Sequence, residues 1–376
     1  MNQKSLRTTS ILVVGQTPPP LHGQAIMIQS FLDGSYQDFR LEHVRMNFSR
    51  SIDEVGSFGW RKVWVLWLTW LGILRARFLR GARVLYYPPS GPNRNPVLRD
   101  IVLLVSTRWL FRRTVFHFHA AGLYEVYPRL TWWAKPLFRL AYRRPDLAIF
   151  TAASTSSDAQ LLGAKSVAIV PCGIADEGAA FLAGDDLEDP IAPIILFTGV
   201  LCEAKGLLVL LEACRLLRFA GQRFQLVCVG AFESRAFQEE VENVLDESGL
   251  GDLVRFPGVL TGRAKAEAFA SCSIFCFPSH YPSESSPIVL LEAMSFAKPI
   301  VATVWRGIPE TVGDDGGSLL VRPRNSEEVA NRLQLLLNSP ERRRTMGLAN
   351  RARYLKNFSV EQYRRNLENA LKQVIR

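Results

Sequence analysis

The residues best suited to chemistry lie in one stretch, Pro278-Ser279-His280-Tyr281-Pro282-Ser283-Glu284-Ser285-Ser286-Pro287-Ile288-Val289-Leu290-Leu291-Glu292. The stretch follows a predicted strand, passes through a loop and opens a helix, for which Ser286 suits the N-cap and Pro287 the first helical position. The unpaired amides of Ile288 and Val289, at the positive end of the helix dipole, then form a site for a phosphate. Glu292 is four residues after Ile288 and three after Val289, so it projects from the same face one turn further in. It is the only charge at an otherwise apolar helix start. A carboxylate there needs hydrogen-bond donors, and a ribose diol offers two. Glu284, in the loop, stands across the phosphate site and within reach of sugar hydroxyls. A plainer reading, with Glu284 in solvent and Glu292 satisfied by a neighbouring arginine, is the one that spacing alone favours.

Three further stretches share this strand, loop and helix setting. In Phe197-Thr198-Gly199-Val200-Leu201-Cys202-Glu203-Ala204-Lys205-Gly206, Lys205 sits at the positive end of the next helix. That is an unfavourable place unless an anion such as a diphosphate neutralises both. The competing reading is a solvated surface lysine, and the spacing of a P-loop is absent. Pro18-Pro19-Pro20-Leu21-His22-Gly23 follows the first predicted strand; its prolines stiffen the loop, and Gly23 lets backbone approach a ligand. Phe116-His117-Phe118-His119 ends a strand in two histidines of equal parity. His119 stands at the carboxyl edge, where ligands bind, whereas His117 reads as a packed core histidine.

These stretches need elements to hold them. Apolar, β-branched runs at 11–15, 83–87, 114–118, 147–151, 167–170, 194–198, 224–230, 254–256, 274–277, 300–303 and 319–321 alternate with longer amphipathic segments. That is the pattern of parallel sheets covered by helices on both faces, so the fold class is α/β. Between Cys172 and Pro193 the pattern lapses into small and acidic residues, including Asp185 and Asp186. The lapse reads as a linker between two doubly wound halves, with a cleft beyond the carboxyl ends of their strands. The chain has 376 residues, 48% apolar and 21% charged, which excludes a disordered chain and a small stapled scaffold. Six cysteines, none in a CxxC pair and with only His280 nearby, argue against zinc and for a reducing compartment. The polar Met1 to Ser10 segment lacks the pattern of a signal peptide, so a cytoplasmic location is expected.

Charge is uneven. Residues 1–165 hold 22 Lys/Arg against 9 Asp/Glu, and residues 166–376 hold 23 against 26. The basic half also carries Trp60, Trp64, Trp67 and Trp70 at helical spacing around the apolar run Val63 to Leu74, which is too short to span a bilayer. A second aromatic and basic stretch runs from Arg129 through Trp132, Trp133 and Lys135 to Arg144. Two readings stand: a surface lying on an anionic membrane, or a buried core helix with a solvated basic end. No helix-turn-helix, zinc-finger, RRM or KH signature accompanies the charge, so no nucleic-acid partner is expected.

Taken together, and with Phe256-Pro257-Gly258-Val259, Gly307-Ile308-Pro309-Glu310 and Glu292-Ala293-Met294, the chain resembles family 4 glycosyltransferases of the GT-B fold. The resemblance is strongest from Ile194 to Phe358. It implies an acceptor-side Rossmann-like domain at 1–180, a linker at 181–193, a nucleotide-sugar domain at 194–357, and a terminal helix at 358–376 crossing back to the first domain. It further implies that Glu292 holds the ribose, Glu284 the donor sugar, Lys205 the diphosphate and Gly23 the same phosphates from the other domain. His119 would contact the transferred sugar. Gly199, Ser286, Ile288 and Val289 would line the donor, and main chain near Val259 and Leu260 the base. The implied reaction is retaining transfer of a hexose from a UDP- or GDP-linked donor to a hydroxyl, without a metal or other cofactor. The implied acceptor is a glycan or lipid-linked intermediate of bacterial surface polysaccharide, met by an enzyme peripheral on the inner face of the membrane. Where such enzymes carry Gly-Arg, this chain has Gly199-Val200, one diphosphate cation fewer. That departure keeps open a nucleotide-sugar epimerase or phosphorylase on the same fold, and a catalytically silent scaffold that keeps the fold is the other alternative.

Overall fold

The computed structural model describes residues 9–19, 22–46, 48, 60–183 and 192–375. The chain forms two compact units, Met1–Cys172 with Val360–Arg376, and Gly173–Ser359. The first is built on β1 (Thr9–Gly15), β2 (Phe39–Arg45), β3 (Val84–Tyr87), β4 (Arg113–Phe118), β5 (Leu147–Phe150) and β6 (Val167–Ile169), in the order β2-β1-β3-β4-β5-β6. The second is built on β7 (Ile194–Thr198), β8 (Gln225–Val229), β9 (Val254–Gly258), β10 (Ile274–Phe277), β11 (Ile300–Thr303) and β12 (Ser318–Val321), in the order β12-β11-β10-β7-β8-β9. All neighbouring pairs are parallel. Every residue of β3, β5, β10 and β11 is buried, as it must be in a parallel sheet covered on both faces.

The sequence pattern predicts no strand at Phe39–Arg45, yet β2 forms there. It lies at the sheet edge with Arg40 and Arg45 exposed and most of its other residues half-buried. An edge strand pairs on one side only and keeps polar residues, so it lacks the continuous apolar run of its neighbours.

In the first unit, helices α1 (Gly23–Leu32), α2 (Trp60–Phe78), α3 (Arg94–Thr107) and α4 (Ala134–Tyr142) cover the sheet. α2 packs on α3 and α3 on α4, over a core that includes Leu12, Leu85, Phe116 and Ala148. α2 is not a buried core helix: Thr69, Ile73 and Ala76 face inward, while Trp60, Trp64 and Trp67 are exposed. Among the described residues no helix is long and apolar enough to cross a membrane. The last helix, Val360–Ile375, packs beside α1. Its Tyr363 hydroxyl donates to the Met27 carbonyl at 3.3 Å, its Arg364 Nε to the Ser30 carbonyl at 2.8 Å, and its Lys372 pairs with Asp38 at 3.0 Å.

The units divide after Cys172, earlier than the 181–193 stretch whose composition suggested the boundary. The segment from Gly173 is fastened to the second unit: Arg351 pairs with Asp176 at 2.5 Å, and the Tyr354 hydroxyl donates to the Ile174 carbonyl at 3.0 Å. Residues 184–191 of that stretch, with Asp185 and Asp186, lie outside the described residues. All six cysteines are buried and free.

In each sheet the chain reverses its direction of strand addition once, between β1 and β3 and between β7 and β10. The crevice at such a reversal, beyond the carboxyl ends of the strands, is where an open parallel sheet binds ligands. At the β7/β10 point the two following loops touch. Gly206 has φ +83°, and a Cβ there would lie 2.2 Å from the Pro278 carbonyl oxygen. Gly206→Ala is therefore expected to destabilise the second unit by about 2 kcal/mol or more through strain and forced separation of the loops. Urea unfolding checks this, and an unchanged midpoint would contradict the close approach.

Candidate active site

The loop after β10 is held from several sides. The His280 amide donates to the Ala204 carbonyl at 2.9 Å, Trp305 Nε1 donates to the Tyr281 carbonyl at 2.8 Å, and the Thr303 hydroxyl donates to the Ser279 carbonyl. This frame fixes Glu284, which is buried rather than in solvent. Its Oε2 accepts from the Ser279 hydroxyl at 2.7 Å and from Lys205 Nζ at 2.7 Å.

Lys205 reaches it from the loop after β7. The side chain is only 16% exposed and its ammonium lies over the rings of Tyr281 and Phe277, at 4.6 and 5.3 Å from their centroids. A solvated surface lysine does not describe it. The cation thus has two aromatic faces, one carboxylate and little contact with water.

The following helix begins one residue later than its sequence suggests. It runs Ile288–Ser295, with Pro287 as N-cap at φ −64°, ψ 118°. That ψ is extended, so Pro287 cannot be the first helical residue. Ser286 is not the cap, and its hydroxyl accepts from the Thr311 hydroxyl at 3.3 Å. The first-turn amides, including those of Ile288 and Val289, have no acceptor inside the helix.

Glu292 lies one turn in. Its neighbour is not an arginine but Lys265, on the helix Gly262–Ser271, whose Nζ donates to Oε1 at 2.5 Å. Its other oxygen, Oε2, is buried without a partner among the described residues. Burial raises the Glu292 pKa above the usual carboxylate range, and Lys265 opposes that rise. Nothing in the sequence pointed to Lys265, because the two positions are 27 residues apart on separate helices.

The remaining second-unit candidates stand at neighbouring strand ends. Gly199, at φ +151°, directly follows β7 with open space where a side chain would project. Val259 is exposed and Leu260 half-buried just past β9.

In the first unit, His22 caps α1, its Nδ1 accepting from the Ala25 amide at 3.3 Å, so Gly23 is the first helical residue. Pro20 and Leu21 lie outside the described residues. His119 follows β4 and packs against His117, with ring centroids 4.1 Å apart and the planes tilted by 34°. His117 is fully buried, with Nδ1 bonded to the Tyr86 hydroxyl. Both nitrogens of His119 are buried without a partner among the described residues. Burial, with His22 nearby, holds its pKa down to about 3, so at neutral pH the ring is uncharged and can both donate and accept. Among the described residues no group of three or more His, Cys, Asp or Glu is arranged to hold a metal ion.

The fold places the chain in a class. It is similar over nearly its whole length to sucrose-phosphate synthase from Thermosynechococcus elongatus, with TM-score 0.72, 19% identity, and 98% of this chain and 99% of that one covered. It is equally similar to Anabaena HepE in complex with UDP, with TM-score 0.72, 18% identity, and 97% and 100% covered. The architecture is that of GT-B glycosyltransferase structures. More particularly, residues 186–353, which carry Lys205, Glu284 and Glu292, match the model for glycosyl transferases group 1. The putative colanic acid biosynthesis glycosyltransferase WcaL of Escherichia coli is 27% identical over 58% of this chain and 53% of its own length. The MMP alpha-(1->4)-mannosyltransferase of Mycolicibacterium hassiacum is 30% identical over 61% and 56%. The chain thus spans about half the length of these curated relatives.

Lys265 offers a test. An ionised Glu292 is the stronger hydrogen-bond acceptor, and Lys265 favours that form. Removing the cation in Lys265→Met should move Glu292 protonation to higher pH, so nucleotide binding is lost at a higher pH as acid is added. UDP-induced thermal shifts across pH measure this, and an acidic limb that does not move would sink it.

Proposed function

We propose that the chain is a retaining family 4 glycosyltransferase that moves a hexose from a nucleoside diphosphate to a hydroxyl acceptor. What carries the reading is the Lys205–Glu284 pair beside a helix N-terminus, with a half-satisfied Glu292 one turn in. A diphosphate entering at Ile288 and Val289 takes Lys205 as counter-ion. Glu284 Oε2 then turns to a sugar hydroxyl, and Glu292 Oε2 accepts from the ribose. Charge growing on the leaving diphosphate meets an ammonium and helix amides already in position, so little reorganisation is needed at the moment of bond breaking. Within the first unit, His119 is uncharged and able to donate to a sugar hydroxyl, and the backbone at Gly23 suits a phosphate; within the second, Gly199 leaves room for the diphosphate, and main chain at Val259 and Leu260 receives the base.

The acceptor in this reading is a lipid-linked glycan intermediate of surface polysaccharide, met by an enzyme peripheral on the inner face of the membrane. Supporting it, matched relatives include the putative colanic acid biosynthesis glycosyltransferase WcaL and the O-antigen chain mannosyltransferase C of Escherichia coli. HepE has been crystallised with UDP-glucose, which favours a UDP-linked donor.

The test is an end-product assay over a panel of nucleotide sugars. Free nucleoside diphosphate is expected only when acceptor is present. Lys205→Met should lower kcat by roughly a hundredfold or more, and the paired variant Lys205→Met/Glu284→Gln should be no worse, since the two groups act on one donor. Turnover of donor without acceptor, or an isomerised donor, would replace transfer with another reaction on the same fold.

A further inference from the structure

The geometry points to the outer surface of α2, α3 and α4 as a docking face for an anionic lipid bilayer. Trp60, Val63, Trp64, Trp67 and Leu68 recur along one side of α2 at helical spacing, all between 43% and 84% exposed. Trp64 and Trp67 stack at 4.9 Å. Since Thr69, Ile73 and Ala76 are buried on the other side, α2 is apolar on both faces, a pattern proper to a protein core or to lipid. The layer continues across α3, which lies against both α2 and α4. Trp109 just beyond α3, Trp132 and Trp133 ahead of α4, and Leu137 and Leu140 on it are exposed as well. Soluble chains seldom leave so many large apolar side chains open in one layer.

Charge identifies the occupant. Between residues 60 and 145 there are 16 Lys/Arg and two acids, Asp100 and Glu125. Asp100 is fully buried, its carboxylate taken by Tyr87, Arg99 and the Ser90 amide. Arg75 falls in line with the tryptophan stripe and Arg139 between Leu137 and Leu140, both exposed. A second copy of the chain would set like charge against like. An anionic leaflet satisfies both features, with indole rings at headgroup depth and guanidinium groups on lipid phosphates. The helix would lie in the interface, since it cannot cross. This deepens the lipid-linked acceptor reading but stands on its own geometry, because lipid binding needs no turnover.

Flotation of the purified full chain tests it, with vesicles of phosphatidylcholine alone and of phosphatidylcholine mixed with phosphatidylglycerol. Binding is expected to the mixed vesicles, weakened by added salt and accompanied by a blue shift of tryptophan emission. Trp64→Ser/Trp67→Ser should lower the bound fraction roughly tenfold or more while leaving the UDP-induced thermal shift intact. No binding to mixed vesicles, equal binding to neutral ones, or binding untouched by the double variant overturns the proposal. A concentration-dependent dimer that the double variant abolishes, without vesicle binding, would instead assign the face to a second copy. Loss of the UDP response alone would count against the transferase reading and leave this one standing.

Discussion

The ion pair between Lys205 and Glu284 is the contact on which the second unit's candidate chemistry depends. It joins two loops that are far apart in the chain but neighbours in space, because β10 returns to lie beside β7. Enclosed by Tyr281 and Phe277 and shielded from water, the pair is tightly constrained. Removing either member strands the other as a buried charge, which costs more than the pair itself contributes. The arrangement holds only if backbone approaches backbone closely at Gly206, so a glycine with no chemistry of its own sets the distance between two charged groups.

Other polar atoms around both sites are left without protein partners. Glu292 Oε2 and both nitrogens of His119 are buried and unpaired among the described residues. Folded chains rarely tolerate such orphans, and they concentrate where a ligand supplies the missing bonds. Half of the Glu292 carboxylate is tethered to Lys265 and half is open, an arrangement that fixes orientation while leaving an acceptor available.

Much of the architecture was legible because parallel strands buried on both faces must be continuously apolar, and such runs stand out in a sequence. β2 escaped because an edge strand with one partner keeps Arg40, Glu42 and His43. The helix after Glu284 was misplaced by one residue, because a proline suits both the N-cap and the first turn, and only its ψ decides. Lys265 was invisible, since a contact between helices 27 residues apart leaves no periodic trace. The tryptophans of α2 were ambiguous for a related reason: helical spacing reports that a stripe exists, not what lies against it.

The last helix carries one more consequence. Tyr363, Leu367 and Leu371 are buried, and their helix belongs to the unit whose strands were made first. During synthesis the strands of that unit emerge early, but the unit lacks its final layer until residues 360–375 have been made. The usual order, in which the unit translated first also matures first, is inverted: residues 173–359 can close while the strands before them wait for the helix that follows.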